Sequence, residues 1–257
     1  MQLIGKVAVV TGGSSGIGEA VCHALSAEGA SVAVVASSDI AKSRRVADAL
    51  GGSRGRVAQA FACDIRDAKL VNELVGRVVT ALGPIDILVN SAGLFYPTPA
   101  GGTSVADVDR IVDLNIKGTF HCINAVVPAM KQQNGGKIVN LSSFVGAVMG
   151  FANYSLYAAT KAAVIFMTKS LARELAGHNI NVNAVAPGCV RTPMNEALRT
   201  APEFKSILED LEAMIPSRTK FSSPADIARV VSFLVSDSAR LIHGSVIVAD
   251  EGISAGL

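Results

Sequence analysis

Seven short apolar runs, each followed by a stretch whose apolar residues recur at helical spacing, constrain this chain more tightly than any other feature. The runs lie at 6–10, 31–36, 56–62, 85–90, 137–141, 180–185 and 245–249 and are mostly aliphatic, as in strands covered on both faces. Helical periods begin at Gly16 (Ile17, Ala20, Val21, Ala24, Leu25) and recur over 39–50, 67–82, 104–131, 155–176 and 224–234. The stretch 104–131 is one long helix or two abutting ones. Asp67 stands where a helix cap belongs, and Pro224 opens the last helix from a favoured first-turn position. Such alternation, joined by right-handed crossovers, predicts an α/β fold: a doubly wound, seven-stranded parallel sheet with helices on both faces. No linker, repeat or low-complexity tract divides residues 1–257, which form one expected domain. The long irregular stretch between Pro187 and Ser223 is expected to supply a lid over about 190–222.

Composition narrows the function classes. Half the residues are apolar, enough for a sizeable core and too many for disorder. The net charge of +2, without long Lys/Arg runs, argues against nucleic acid or an anionic membrane as main partner. No apolar stretch approaches the roughly 18 residues of a membrane span. Residues 1–6 lack a basic region before a long apolar core, so no signal peptide is expected. Cys22, Cys63, Cys122 and Cys189 are widely spaced and read as free thiols; a cytoplasmic location is expected. His23, His121, His178 and His243 show no metal-ligand spacing, so no metal is expected.

The first strand hands over to Thr11-Gly12-Gly13-Ser14-Ser15-Gly16-Ile17-Gly18. In a strand-to-helix turn, Gly12 permits the sharp bend, Gly16 lets a ligand approach the backbone and Gly18 allows close packing of the helix. The helix start offers unpaired N–H groups to a pyrophosphate, with Ser14 and Ser15 as hydroxyl donors. The same residues also spell the nucleophile elbow Gly12-x-Ser14-x-Gly16, which would pair Ser14 with His178 or His243. That elbow belongs deep in a sheet, whereas this one follows the first strand.

Tyr157 and Lys161 stand four residues apart on a predicted helix and share one face. An ammonium beside a phenol favours the phenolate, and bringing that phenol from about 10 to near 7 takes roughly 4 kcal/mol.

These elements occur together with others in a fixed order: Asp64 in Cys63-Asp64-Ile65, Asn90-Ser91-Ala92-Gly93, Asn115 in Asn115-Ile116-Lys117-Gly118, Ser142-Ser143, and Pro187-Gly188 with Thr192. Through them the chain resembles, over nearly its whole length, the single-domain branch of the short-chain dehydrogenases/reductases, including 3-oxoacyl-acyl-carrier-protein reductases and related carbonyl reductases. The resemblance implies a Rossmann fold and hydride transfer between a nicotinamide cofactor and a ketone or aldehyde and its alcohol. It makes Tyr157 the general acid or base and Ser143 the donor that positions the substrate oxygen. Lys161 is implied to lower the Tyr157 pKa and hold the nicotinamide ribose. Asn115, through its main chain at a helix irregularity, is implied to hold a water linking Lys161 to solvent. The glycine-rich turn, Ile17 included, takes the pyrophosphate; Asp64 and the Ile65 backbone contact the adenine; Asn90 and Gly93 line the adenosine ribose; Val190 and Thr192 hold the carboxamide, and Pro187 and Gly188 also bind the cofactor.

The chain departs from the family pattern in three places. Ser143 and Tyr157 are separated by one residue more than is common, within the loop 146–155. Asn-Asn-Ala-Gly is here Asn90-Ser91-Ala92-Gly93, and Asp250-Glu251-Gly252 replaces Asp-Gly-Gly. If Glu251 occupies a position needing positive φ, it carries strain. The second strand ends in Ala36-Ser37-Ser38, without the acid that would accept a ribose 2′-hydroxyl. Ser37 and Ser38, helped by Lys42, Arg44 or Arg45, suit a 2′-phosphate, so NADP(H) is favoured and NAD(H) stays possible.

The rival function is a catalytically silent reductase-like protein that binds dinucleotide and regulates a partner; retention of Tyr157 and Lys161 argues against it. Phe95, Tyr96, Phe144, Met149, Phe151 and Met194 fall on loops at the expected pocket and suggest an apolar small-molecule substrate. Fatty-acyl ketones, cyclic ketones, steroids, sugars and xenobiotic carbonyls stay open. Small and apolar residues on 104–131 and 155–176 exceed what one side of a sheet needs, and the resemblance points to a homotetramer built on these helices.

Overall fold

The structure, a computed structural model, describes residues 1–37, 39–51 and 57–256. Ser38, Gly52, Ser53 and Arg56, which the sequence places in a cofactor contact, a turn and a strand start, lie outside the described residues. The first half runs β1 (Val7–Thr11), α1 (Gly16–Ala27), β2 (Ser31–Ala36), α2 (Ile40–Leu50), β3 (Ala58–Ala62), α3 (Ala68–Leu82) and β4 (Ile87–Asn90). Next come α4 (Val105–Val112), a π-helical turn at Asp113–Gly118, α5 (Thr119–Gln132), β5 (Gly136–Leu141), the short turn α6 (Phe144–Ala147), α7 (Ser155–Leu175) and β6 (Ile180–Pro187). The chain closes with α8 (Glu196–Thr200), α9 (Lys205–Met214), α10 (Pro224–Val235) and β7 (Val246–Ala249).

The seven strands form one parallel sheet in the order β3-β2-β1-β4-β5-β6-β7. Side chains alternate between its faces, and both faces are apolar. Ala8, Val10, Val32 and Val34 pack with Val21 and Leu25 of α1 and Val231 and Leu234 of α10. Val7, Val9, Ala33 and Val35 belong to the opposite layer, with Leu74 of α3, Val126 of α5 and Leu175 of α7. This is why the strands read as continuous aliphatic runs. From β1 the chain winds outward to β2 and β3, then returns to β4 on β1's other side. The crevice beyond the carboxyl ends of β1 and β4 is therefore the topological switch point, where such sheets bind ligands.

Local chemistry sets the helix starts. Asp67 accepts from the N–H groups of Lys69 and Leu70, and Ser223 and Asp226 form a reciprocal capping box on α10. The stretch 104–131 is helical almost throughout, with α4 and α5 joined through the π turn. The segment between Pro187 and Ser223, expected to be irregular, is largely helical. It holds α8, α9 and two 3₁₀ turns, with Pro193 and Pro202 at first-turn positions. Proline there starts a helix, because the missing N–H would have had no helical partner. A parallel bridge between Val190 and Ser222 closes the base of this segment. Glu251 has φ 58°, and its carboxylate accepts from the Ser222 hydroxyl at 2.7 Å, tying the C-terminal turn to that base.

Candidate active site

The glycine-rich turn and the loop after β4 meet at the switch point. Gly12 has φ 66°, and a Cβ there would stand 2.9 Å from Ala92 Cα. A Cβ on Gly18 would come within 2.2 Å of the Gly12 carbonyl oxygen, so this glycine keeps α1 close under its own turn. Ser15 opens α1 without a side-chain cap, which leaves its hydroxyl and the first N–H groups of the helix directed at the crevice.

From this turn a cleft runs past Ser91–Leu94 to Leu141, Tyr157 and Lys161, and on to Pro187, Thr192 and Met194. Ten of the anticipated residues line it: Gly12, Ser15, Gly16, Ile17, Gly18, Gly93, Tyr157, Lys161, Pro187 and Thr192. An open helix N-terminus at one end and a phenol and ammonium at the other fit an elongated, anionic dinucleotide.

Other anticipated residues are placed differently. The Asn90 amide donates to Asn140 Oδ1 at 2.8 Å within the sheet, and its own Oδ1 is buried without a partner. Asp64 is clamped by Arg66, whose Nε stands 2.9 Å from Oδ1, and the guanidinium holds the carboxyl below its ordinary range. Ile65 is buried, packing where a Cβ on Gly118 would be 2.8 Å from it. Gly188 lets β6 approach the end of β7: a Cβ there would stand 2.6 Å from Asp250 Cα. Val190 is buried beside the bridge to Ser222. Ser14 is half-buried, and Ser37 is exposed at the end of β2.

At the chemical end, β5 delivers two serines with different partners. Ser142 donates to the Lys161 carbonyl at 3.0 Å. The Ser143 hydroxyl accepts from Val145 N at 3.2 Å and faces the Tyr157 phenol, pulling its pKa down. Burial acts more strongly in the other direction and pushes that phenol up to about 12. Lys161 Nζ donates to the Leu141 carbonyl at 2.9 Å, and burial holds this amine down at about 8. In this arrangement burial sets the direction of the Tyr157 shift. The ammonium stands off the phenol ring and bonds a carbonyl, so desolvation dominates both groups.

Asn115 lies in the π turn. Its side chain accepts from Leu94 N at 2.8 Å and donates to the Leu94 carbonyl at 3.0 Å and Thr160 Oγ1 at 3.1 Å. Its own carbonyl accepts from the Thr119 hydroxyl at 2.9 Å. The irregular turn therefore couples the loop after β4 to α7 directly beneath the Tyr157–Lys161 pair. The elbow alternative fails on placement: Ser14 follows the carboxyl end of β1, whereas His178 and His243 precede β6 and β7 at the opposite edge of the sheet.

An apolar cluster packs against Tyr157. Phe144, Val145, Ile215 and Ile253 form its centre, joined by Met149, Phe151, Cys189 and Leu211. Phe95 stacks on Tyr154 at 4.6 Å and meets Tyr157 edge-on at 4.8 Å. Arg66, only two residues from its partner Asp64, carried no motif that would reveal it in the sequence.

A doubly wound sheet with an open helix end at its switch point and a Ser–Tyr–Lys cluster beside it defines a nicotinamide oxidoreductase. Residues 12–254 match the family described as enoyl-(acyl carrier protein) reductase. The chain is 40% identical over 255 residues to the 3-oxoacyl-(acyl-carrier-protein) reductase FabG of Thermotoga maritima, covering 98% of this chain and 99% of that one. It is 37% identical over 254 residues to the oxidoreductase UcpA of Salmonella typhimurium, covering 98% and 95%. A short-chain type dehydrogenase/reductase of Mycobacterium marinum superposes with a TM-score of 0.91 at 33% identity, over 98% of this chain and 97% of that one. The chain belongs to the short-chain dehydrogenase/reductase family, and it is an NAD(P)-dependent oxidoreductase of keto and CH–OH groups. No helix among the described residues is long and apolar enough to cross a membrane.

Proposed function

We propose that this enzyme reduces the keto group of a predominantly apolar substrate with NADPH, and that Tyr157 delivers the proton to the substrate oxygen. The carrying observation is the junction of two surfaces at Tyr157: it lines the cleft from the α1 N-terminus, and the cluster of Phe144, Ile215 and Ile253 packs against it. The nicotinamide, when bound, supplies the hydride. Tyr157, protonated at neutral pH, gives the oxygen its proton, while Ser143 holds that oxygen in place. Lys161 has three N–H donors and commits one to Leu141, leaving two for ribose hydroxyls. The Asn115 carbonyl, with one lone pair taken by Thr119, has a second for a water that resupplies the proton.

The apolar walls favour a ketone with an aliphatic or aromatic body, and a 3-oxoacyl chain of the kind named for the Thermotoga relative fits that class. Leu211 and Ile215 come from the segment 190–222, which acts as the lid. Phe120 on α5 and Phe166 on α7 are 45% and 67% exposed, and this supports a homotetramer assembled on those helices. Light scattering at micromolar concentration tests the assembly, and a monomeric mass would refute it.

The deciding experiment follows reduced-nicotinamide absorbance with NADPH or NADH against a panel of acyl, cyclic and aromatic ketones. Turnover is expected with an apolar ketone, and Tyr157→Phe is expected to lower it by about a hundredfold or more while nucleotide still binds. Full activity in that variant would overturn the assigned role.

A further inference from the structure

One side chain grips the glycine-rich turn from outside. Arg45, midway along α2, reaches back across the end of β2. Its guanidinium donates to Glu19 Oε1 at 2.9 Å, to Glu19 Oε2 at 2.8 Å and to the Ser14 carbonyl at 3.1 Å. Gly13 N donates to the Val35 carbonyl at 3.1 Å, so the turn and the carboxyl end of β2 are neighbours. Arg45 thus stands at the rim of the crevice between them, with its side chain 60% exposed. The nearest acid along that strand end is already committed: Asp39 Oδ1 accepts from Ala41 N at 2.9 Å as the cap of α2.

A dinucleotide with its pyrophosphate on the α1 N-terminus lays its adenosine ribose over the end of the second strand. There an acid accepts the 2′-hydroxyl, or an arginine accepts a 2′-phosphate. Among the described residues this guanidinium makes three hydrogen bonds, which leaves two of its five N–H groups for further acceptors. Glu19 has two effects. It orients the guanidinium, and it brings a negative charge that opposes a phosphate.

We propose that Arg45 reads the 2′ position of the adenosine ribose, and that its ion pair with Glu19 sets how strongly a 2′-phosphate is preferred to a 2′-hydroxyl. The inference rests on the dinucleotide reading above. It explains how a strand ending in Ala36-Ser37 can favour NADPH without a basic residue in the glycine-rich turn itself. Removing Arg45 leaves Glu19 facing the phosphate alone. Neutralising Glu19 leaves Arg45 unopposed. The two changes should therefore move the preference in opposite directions.

The test titrates NADPH and NADH into wild type, Arg45→Ala and Glu19→Gln by reduced-nicotinamide fluorescence, with adenosine 2′,5′-bisphosphate and 5′-ADP compared by calorimetry. Arg45→Ala is expected to weaken NADPH and the 2′,5′-bisphosphate roughly tenfold or more, as for a lost charge-assisted contact, with NADH changed less than about twofold. Glu19→Gln is expected to tighten NADPH about threefold, with NADH again nearly constant. Equal weakening of both nucleotides by Arg45→Ala would overturn the proposal, because Arg45 would then only prop the turn through Ser14. An unchanged NADPH-to-NADH ratio in both variants would overturn it as well. Failure of wild type to bind either nucleotide would instead remove the reading on which the proposal stands.

Discussion

Lys161 Nζ bonds the Leu141 carbonyl at 2.9 Å and stands 5.8 Å from the centre of the Tyr157 ring. With this separation burial acts on both groups, pushing the phenol up and the ammonium down. The chemistry of the site follows from that shared burial.

The first consequence is directional. A phenol with a pKa of about 12 keeps its proton at neutral pH and is ready to donate it. Ketone reduction should therefore hold level through neutral pH. Alcohol oxidation needs the phenolate, so its kcat/KM should climb about tenfold per pH unit into the alkaline range. Steady-state kinetics in both directions check this. A plateau for oxidation near pH 7 would mean that Lys161 moves onto the phenol during turnover.

The buried amine also affects stability. The Lys161 value falls from 10.5 to about 8 on folding. Below pH 8 both states carry the proton and the folded one bears the full desolvation cost. Between 8 and 10.5 the unfolded chain holds a proton that the folded one has lost, so stability rises with pH. At about 1.4 kcal/mol per pKa unit the cost is roughly 3 kcal/mol, offset in part by the bond to Leu141. Lys161→Met should thus be more stable than wild type by about 2 kcal/mol at pH 7, with the gain fading towards pH 10.5. Denaturant titrations at both pH values measure it; an equal gain at each would disprove the account.

Phe95 covers one side of Tyr157. Its ring lies 6° from the plane of Tyr154 and 77° from that of Tyr157. Phe95→Ala should lower the phenol from about 12 towards its ordinary value of 10, moving the onset of oxidation to lower pH. The lost ring contacts should cost about 1–3 kcal/mol. Spectroscopic titration of the tyrosinate reads the first effect and thermal unfolding the second. An unshifted titration would assign the desolvation to other walls.

Two glycines of α1 and α3 should respond in opposite ways. Gly18→Ala forces a methyl to within 2.2 Å of the Gly12 carbonyl, and it should abolish nucleotide binding and destabilise by about 2 kcal/mol or more. Gly76 lies exposed in the middle of α3 with open space around it, and Gly76→Ala should stabilise by about 0.5–1 kcal/mol. Calorimetric melting of both variants, with NADPH titration of the first, tests the pair.

What could be read from the chain beforehand was local or periodic. The strands of both layers declare themselves as aliphatic runs, Asp67 as a cap, and Tyr157 and Lys161 as one helical face. Arg45 could be listed among nearby cations, but its bond to Ser14 spans 31 residues and depends on how α2 lies across β2. The π turn beneath Asn115 leaves no composition signal, because its side chains are ordinary helical ones. Pro193 and Pro202 begin helical turns, but proline both ends and begins helices, and only the following backbone decides which. The pKa shifts of Tyr157 and Lys161 come from burial by residues distant in sequence, and spacing along a helix contains none of that.

The walls around Tyr157 come from Phe144, Ile215 and Ile253, three separate stretches of the chain, whereas the proton-handling groups sit just after β5 and on α7. Evolution can therefore recut the outer shell for a new guest by altering the stretch around α9 or the last turn, without touching the phenol. A scaffold divided in this way lends itself to diversification: one reaction, many clients.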